Sequence, residues 1–114
     1  MTIFIDTKKC RRVKLSDTQG EVAEIVNREL CGAENVVGRL RWLRDGDHFE
    51  VESLTDTHQL VYLIEGDGVI HLAGKEYNVA KGAGIYLGPQ ETATIRQAGT
   101  ATARLLHLVV PNVA

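Results

Sequence analysis

The stretch LVYLIEGDGVIHL, residues 60–72, decides the fold class of this protein. Two apolar runs, residues 60–64 and 69–72, flank the turn sequence Glu65-Gly66-Asp67-Gly68. Short apolar runs on either side of a turn rich in Gly and Asp are typical of antiparallel strands joined in a hairpin. Because residues 60–64 are apolar on both faces, we expect cover on both sides of this strand, either from a second sheet or from a partner subunit.

Further short runs with strand character lie on both sides of this stretch. They cover residues 2–5, 12–15, 36–43, 48–53, 76–79, 84–87, 92–97 and 103–110. Turn residues such as Asp45-Gly46-Asp47 and Ala98-Gly99 separate them. Regular short strands with such turns predict an all-β sandwich or barrel.

The spacing of residues 45–97 resembles that of the cupin superfamily. The first family motif is G-x5-H-x-H-x4-E-x6-G. Counting from Gly46, its positions hold Glu52, Leu54, Gln59 and Gly66. The sequence of residues 62–68 also resembles the family's YVLEGEG hairpin.

The second family motif, G-x5-P-x-G-x2-H-x3-N, begins at Gly82. Its positions then hold Gly88, Gln90, Ala93 and Gln97, with Pro89 one place late. The resemblance implies a cupin double-stranded β-helix, a jelly-roll barrel that frequently forms homodimers.

In metal-binding cupins, the two histidines and the glutamate of the first motif and the histidine of the second hold a metal ion. The resemblance places Glu52, Leu54, Gln59 and Ala93 at these positions. Leu54 and Ala93 offer no donor atom, and Gln59 offers only a neutral amide oxygen. We therefore expect neither a metal nor another cofactor.

Residues 21–30 fit two structures. Val22, Ile25, Val26 and Leu30 match the apolar stripe of an amphipathic helix. The same residues fit an extended strand with a bulge, which the cupin resemblance favours.

Two residues are candidates for acid/base catalysis, His107 and Glu52. If Arg104 points to solvent, strand alternation directs Ala103, Leu105, His107 and Val109 inward together. His107 is then a general base, a hydrogen-bonding anchor or a core histidine. Glu52 would be a usable acid or base in the barrel lumen, because burial raises the pKa of a carboxyl group. On the outer face it would be one more surface carboxylate.

Four more residues are candidates for ligand contact: Gln59 and Ala93 at motif positions, His58 and Arg41. His58 reaches the lumen only if a bulge precedes its strand, and is otherwise an exposed or interface histidine. Trp42 shares a face with Leu40, which favours these two as core and places Arg41 outside. In the reversed register, Arg41 would enter the pocket and favour an anionic ligand.

Length and composition narrow the class of protein. A chain of 114 residues predicts a single domain, residues 1–114. A net charge of −2 and the absence of an apolar stretch of roughly 20 residues predict neither a nucleic-acid partner nor a membrane span. Cys10 and Cys31 lie in no CxxC pair and are expected to be reduced, buried thiols. With no signal-peptide pattern in residues 1–9, we expect a cytoplasmic protein.

These features favour a metal-independent cupin that binds a small organic molecule in its lumen. If the protein is an enzyme, proton transfer is the expected chemistry, as in isomerases, cyclases and lyases; some cupins, among them sugar-nucleotide epimerases, work without metal. One alternative is a non-enzymatic metabolite sensor or accessory subunit. Another is a dioxygenase or lyase whose metal is held by Glu52, His58 and His107.

Overall fold

A computed structural model describes residues 3–15, 18–52 and 55–111. These residues form ten strands, one short helix and a 3-10 turn at Thr7–Lys9. In chain order the elements are β1 (Val13–Lys14), β2 (Glu21–Val26), α1 (Arg28–Cys31), β3 (Val37–Leu43), β4 (His48–Val51), β5 (His58–Glu65), β6 (Asp67–Leu72), β7 (Lys75–Ala80), β8 (Gly84–Leu87), β9 (Ala93–Ala98) and β10 (Ala103–Val110). Among the described residues, no helix is long and apolar enough to cross a membrane.

The strands form two antiparallel sheets. One has six strands in the order β1-β2-β3-β10-β5-β8, and the other has four in the order β4-β9-β6-β7. Their inner faces pack on a shared core, to which both sheets contribute. The core residues are Leu43, Phe49, Val51, Val61, Leu63, Ile70, Leu87, Ala93, Ile95, Ala103 and Leu105. This architecture confirms the predicted all-β cupin fold.

The turn at Gly66 joins the two sheets rather than closing a hairpin within one of them. β5 pairs with β8 and β10, whereas β6 pairs with β7 and β9. Gly66 has a φ of +84°, and a Cβ placed on it would lie 2.9 Å from the Cα of Ala103. A glycine is required here because a side chain would be strained by the positive φ and would collide with the backbone of β10.

β3 shows the opposite register to the favoured prediction. Its Arg41 pairs with Leu105, and paired residues on antiparallel strands lie on the same face. Arg41 therefore points inward, as Leu43 does, while Trp42 lies on the outer face beneath the guanidinium of Arg12 at 3.8 Å. The prediction that placed Arg41 outside was wrong, because Leu43 rather than Trp42 belongs to the core. The alternative register is the observed one.

Residues 21–30 divide between the two predicted structures. Residues Glu21–Val26 form strand β2, which pairs with β3, and the chain then enters α1. Asn27 caps this helix by accepting a hydrogen bond from the backbone N–H of Leu30, and Gly32 ends it in the left-handed conformation. The predicted strand at residues 2–5 is absent from residues 3–5, the part of it that the structure describes.

The outer face of β5 is left uncovered by the second sheet. Val61 and Leu63 pack in the core, but Leu60 and Tyr62 are exposed, next to the exposed Tyr86 of β8. Cover was expected on both sides of this strand, and the second sheet provides it on one side only. Strand alternation explains the outcome, since one sheet covers only one face.

Candidate functional site

A chain of hydrogen bonds crosses the inner face of the six-stranded sheet at one end of the core. Arg41 Nε donates to His107 Nδ1 at 3.3 Å. His107 Nε2 and Gln59 Oε1 are 2.8 Å apart, and Gln59 Nε2 donates to the backbone carbonyl of Glu52 at 2.9 Å. Arg41, His107 and Gln59 are only 8, 3 and 3% exposed. They come from β3, β10 and β5, which are neighbours in the sheet.

The direction of these bonds determines the tautomer of His107. An arginine Nε can only donate, so Nδ1 of His107 must accept and carries no proton. Nε2 then bears the proton and donates it to the oxygen of Gln59. Both ring nitrogens of His107 are therefore occupied by protein partners.

His107 is neutral over the whole physiological pH range. Burial, together with the nearby positive charges of Arg41 and Arg39, lowers the pKa of His107 to about 3. A group with this pKa is a weak proton acceptor near pH 7. The geometry favours the hydrogen-bonding anchor among the roles expected for His107.

Arg41 keeps its charge although it is buried. Burial is the main cause that lowers its pKa to about 10; Arg39 lowers it further and Glu52 opposes the change. The Arg41 guanidinium lies over the ring of Phe49, with Cζ 3.8 Å from the ring centre. The rings of Phe49 and His107 also pack edge to face, with their centres 5.0 Å apart. The aromatic ring and the histidine thus hold the guanidinium in one plane.

These residues line a cavity of about 410 Å³ between the sheets. A cavity of this size is suited to one small organic molecule. The residues that line it are Leu15, Gln19, Arg39, Arg41, Phe49, Glu50, Glu52, Gln59 and His107.

No carboxylate in the part of the chain that the structure describes forms an ion pair with Arg41, although Glu52 is close enough to favour its charge. Arg39 is paired with Glu24 at 3.3 Å, and Glu50 is 3.8 Å from His48. Among the described residues, no carboxylate oxygen lies within 4.0 Å of Arg41. The cavity therefore contains one buried cation whose only hydrogen-bonded protein partner in this part of the chain is a neutral imidazole.

The structure brings some of the predicted site residues together and separates others. Arg41, Gln59, His107 and Glu52 line the same cavity, although Glu52 is exposed at its rim. His58 points away from it: Gln59 faces inward, so its neighbour faces outward, where His58 is hydrogen-bonded to the hydroxyl of Tyr86. The expectation that His58 contacts the ligand is not supported by this placement.

Ala93 belongs to the core and does not line this cavity among the residues described. It pairs with Val51 on β4, and its methyl group packs in the core. Leu54, the remaining motif position, lies outside the described residues. The thiols of Cys10 and Cys31 are free but half-buried rather than buried.

The residues present do not fit a cupin metal centre. Within residues 3–15, 18–52 and 55–111, no three His, Cys, Asp or Glu side chains lie close enough together to hold a metal ion. The free lone pair of His107 is already used by Arg41, and the guanidinium at 3.3 Å would repel a bound cation. The set of Glu52, His58 and His107 is not assembled either, because His58 is on the other side of the β5 strand.

Sequence reasoning missed several cavity residues, among them Arg39, Phe49 and Leu15. The signal for Arg39 was present, since it is two residues from Arg41 and must share its face. Phe49 lies two residues from Val51 and packs inward with it. The contribution of Leu15 had no local signal, because it depends on the packing of this residue against strands that are distant in the sequence.

A second, larger groove of about 760 Å³ lies along the chain segment that precedes β1. Ile3, Phe4, Val13 and Leu30 contribute apolar surface to it, and all four are exposed. The charged residues that line it are exposed or half-buried. Buried polar groups converge at the smaller cavity instead, which makes that cavity the candidate site.

Comparison with protein families gives a match to one described as the AraC-like ligand binding domain. The match covers residues 38–112, which include β4 to β10, nearly all of β3 and six of the seven polar residues that line the cavity. Comparison with curated protein sequences gives no match.

Solved structures with the same fold cover almost the whole chain. A predicted oxalate decarboxylase from Thermotoga maritima has a TM-score of 0.83 and 18% identity over 96% of this chain and 99% of its own. KdgF from Halomonas sp. has a TM-score of 0.80 and 10% identity, covering 98% of this chain and 96% of its own. The polyketide cyclase RemF from Streptomyces resistomycificus has a TM-score of 0.76 and 15% identity, covering 100% of this chain and 87% of its own. At these identities the likeness establishes the fold alone.

Proposed function

This chain belongs to the family of AraC-like ligand-binding domains, which are cupin-type domains, and from that membership we propose that it binds a small polar organic molecule in the cavity between its two sheets. One observation carries the proposal. Arg41, His107 and Gln59 are buried, mutually hydrogen-bonded and face a cavity of about 410 Å³. Polar groups are costly to bury, so a group of them directed into a cavity is most simply explained by a ligand.

The binding is proposed to need no metal ion. Arg41 places a fixed positive charge in the cavity, where it would repel a metal cation, and its hydrogen-bond acceptor is His107, the one histidine among the described residues that line the cavity. The side chains of the protein would then supply the polar contacts themselves.

Binding without chemical change is the function that the geometry supports best. Both nitrogens of His107 are occupied, and its low pKa makes it a poor base near pH 7. The second candidate function is acid/base catalysis by Glu52, whose carboxylate is at the cavity rim and has no protein partner among the described ion pairs. Isomerisation, cyclisation or elimination would be reactions of this kind.

We expect that Leu15→Trp will weaken ligand binding by at least about tenfold, because an indole at the cavity mouth would fill part of the space a ligand needs. Leu15 is 37% exposed and lines the cavity. Leu60→Trp is the matched control, since Leu60 is 38% exposed but lies on the outer face of β5. Native mass spectrometry of the purified proteins would identify molecules bound to the wild type and to each variant.

A molecule retained by the wild type and Leu60→Trp but lost from Leu15→Trp would support the cavity as the binding site. Equal retention by all three proteins would contradict it. Incubation of the recovered molecule with fresh protein then separates the two functions. An unchanged molecule supports binding alone, and a product that disappears with Glu52→Gln supports catalysis.

The metal content of the protein tests the metal-free proposal directly. We expect protein purified without a tag from metal-supplemented cells to contain less than about a tenth of an equivalent of Mn, Fe, Co, Ni, Cu or Zn per chain. Inductively coupled plasma mass spectrometry would measure it. Near one equivalent of a single metal, lost from His107→Ala but retained by His71→Ala, would overturn the proposal and return a metal-dependent cupin enzyme to first place.

Assembly into a homodimer, a single domain over residues 1–114 and a cytoplasmic location stay predictions. The exposed side chains of Leu60, Tyr62 and Tyr86, on the outer face of one sheet, support the first of these. A contiguous apolar patch of this kind is typical of a surface that associates with another molecule.

A further inference from the structure

Arg41 is the feature of this site that the proposed function leaves unexplained. A buried charge is costly unless an opposite charge compensates it, and here the hydrogen-bonded partner is a neutral imidazole. Only 8% of Arg41 is exposed, so water can screen little of its charge. Such a residue is most simply explained by an anion that the protein binds rather than contains.

We infer that the ligand carries a carboxylate group, and that Arg41 receives it end-on through its two terminal nitrogens, Nη1 and Nη2. This inference rests on the proposed function, since it names the chemical class of the molecule in the same cavity. In this inference Arg41 is the residue that recognises the negative charge of the ligand.

The geometry leaves only the terminal nitrogens for an anion. The Nε of Arg41 already donates to His107, so the side edge of the guanidinium is occupied. Phe49 lies against the guanidinium, with the ring centre 3.8 Å from Cζ, and leaves no room for an anion on that side. Two parallel N–H groups remain at the end of the fork, and their spacing matches the two oxygens of a carboxylate.

The other charges of the cavity favour a monoanion over a dianion. Arg39, the second cation, is already paired with Glu24 at 3.3 Å. Glu50 and Glu52 line the same cavity and would repel additional negative charge. The Arg41 guanidinium touches no carboxylate among the described residues and can pair directly with one, whereas a phosphate dianion would bring a further negative charge next to Glu50 and Glu52.

The inference can be tested with matched pairs of small probes. Benzoate and propionate carry the carboxylate, and benzamide and propionamide have the same shapes without the charge. We would titrate each probe, and inorganic phosphate, into protein labelled with ¹⁵N and follow the guanidinium signals of Arg41 by NMR. We expect saturable shifts of the Arg41 signal with benzoate or propionate, and affinity at least about tenfold lower for the corresponding amide and for phosphate.

Variants separate Arg41 from the other arginines. Arg41→Gln should lower the affinity for benzoate or propionate by at least about tenfold, and Arg41→Lys should not restore it, because an ammonium group cannot form the paired contact. Arg96→Gln is the control, since Arg96 is exposed on β9 and paired with Glu76 outside the cavity. If Arg41→Gln fails to fold, the signals of Arg41 in the wild type still decide the question.

The two proposals fail in different ways. Amides that bind in the cavity as tightly as the carboxylates, or phosphate that binds more tightly, would overturn the carboxylate inference and leave the proposed function standing. No shift of the Arg41 signal with either carboxylate would also overturn the inference. Only a cavity that binds no probe, together with equal ligand retention by Leu15→Trp, would remove the proposed function as well.

Discussion

Acidification from pH 7 to pH 5 should lower the free energy of unfolding by about 2 kcal/mol through His107 alone. The pKa of His107 falls from its usual 6.5 to about 3 in the folded protein, mainly because the ring is buried and secondly because Arg41 is close. At pH values between these two, His107 is protonated in the unfolded chain and neutral in the folded chain. The contribution of His107 to the free energy of unfolding is therefore fully present above pH 6.5 and decreases as the pH falls towards 3.

Burial and two nearby cations disfavour the protonated form of His107, and two uncharged side chains complete its surroundings. Arg41 and Arg39 on β3 add positive charge, Gln59 on β5 holds the proton of Nε2, and Phe49 on β4 covers the ring edge. Protonation would place a hydrogen on Nδ1, where it would point at the Nε–H of Arg41. The cationic form of His107 thus loses a hydrogen bond as well as solvent.

Urea denaturation at several pH values between 5 and 7 would measure this effect. His107→Gln should remove most of the pH dependence in this range, because glutamine can hydrogen-bond but does not titrate. His71→Gln is the control, since His71 is exposed on β6. A pH dependence that is as large in His107→Gln as in the wild type would show that another group is responsible.

Replacing Gln59 with leucine should destabilise the protein by about 2–4 kcal/mol. Gln59 is 3% exposed and accepts the Nε2–H of His107 while donating to the carbonyl of Glu52. Leucine has a similar volume but satisfies neither partner. The His107 N–H would then be buried without an acceptor, which costs about 1–3 kcal/mol by itself.

A double-mutant cycle tests whether the cost arises from the hydrogen bond. His107→Leu in the Gln59→Leu background removes the unsatisfied N–H, so the double variant should lose at least about 1 kcal/mol less than the sum of the two single variants. Gln97→Leu is the control: Gln97 is also buried, but it donates to the carbonyls of Gly99 and Ala101. Its effect should add to that of His107→Leu. If the effects of Gln59→Leu and His107→Leu on stability also prove additive, the two residues are not coupled by a hydrogen bond.

Acid stability and ligand recognition depend on the same arrangement. The imidazole must be neutral to accept the Nε–H of Arg41, and that hydrogen bond holds the guanidinium in its plane against Phe49. Below the physiological range, protonation of His107 would weaken the protein and displace the residue proposed to bind the carboxylate. The hydrogen-bonded chain is therefore a stability element and a binding element at once.

The sequence alone was sufficient for the fold class and for part of the site. Alternation along residues 103–110 correctly predicted that His107 points inward, because a period of two leaves each strand only two orientations. Motif spacing correctly predicted the barrel, since turn positions at Gly46, Gly66 and Gly82 reflect local backbone requirements. The sequence also showed that Gln59 replaces the motif glutamate and Ala93 the motif histidine, because the motif spacing identifies the residue at each position.

Only the tertiary structure decided where Arg41 points and what surrounds it. β3 has an apolar residue on each face near its end, Trp42 on one and Leu43 on the other, so local alternation fits both registers. Pairing with β10, more than sixty residues later, selects the register that turns Arg41 towards His107. The same limit applies at Gly66, where one turn sequence suits a hairpin or a corner between sheets. Strand pairing is a long-range choice made by the packing of the whole core, and the local sequence does not contain it.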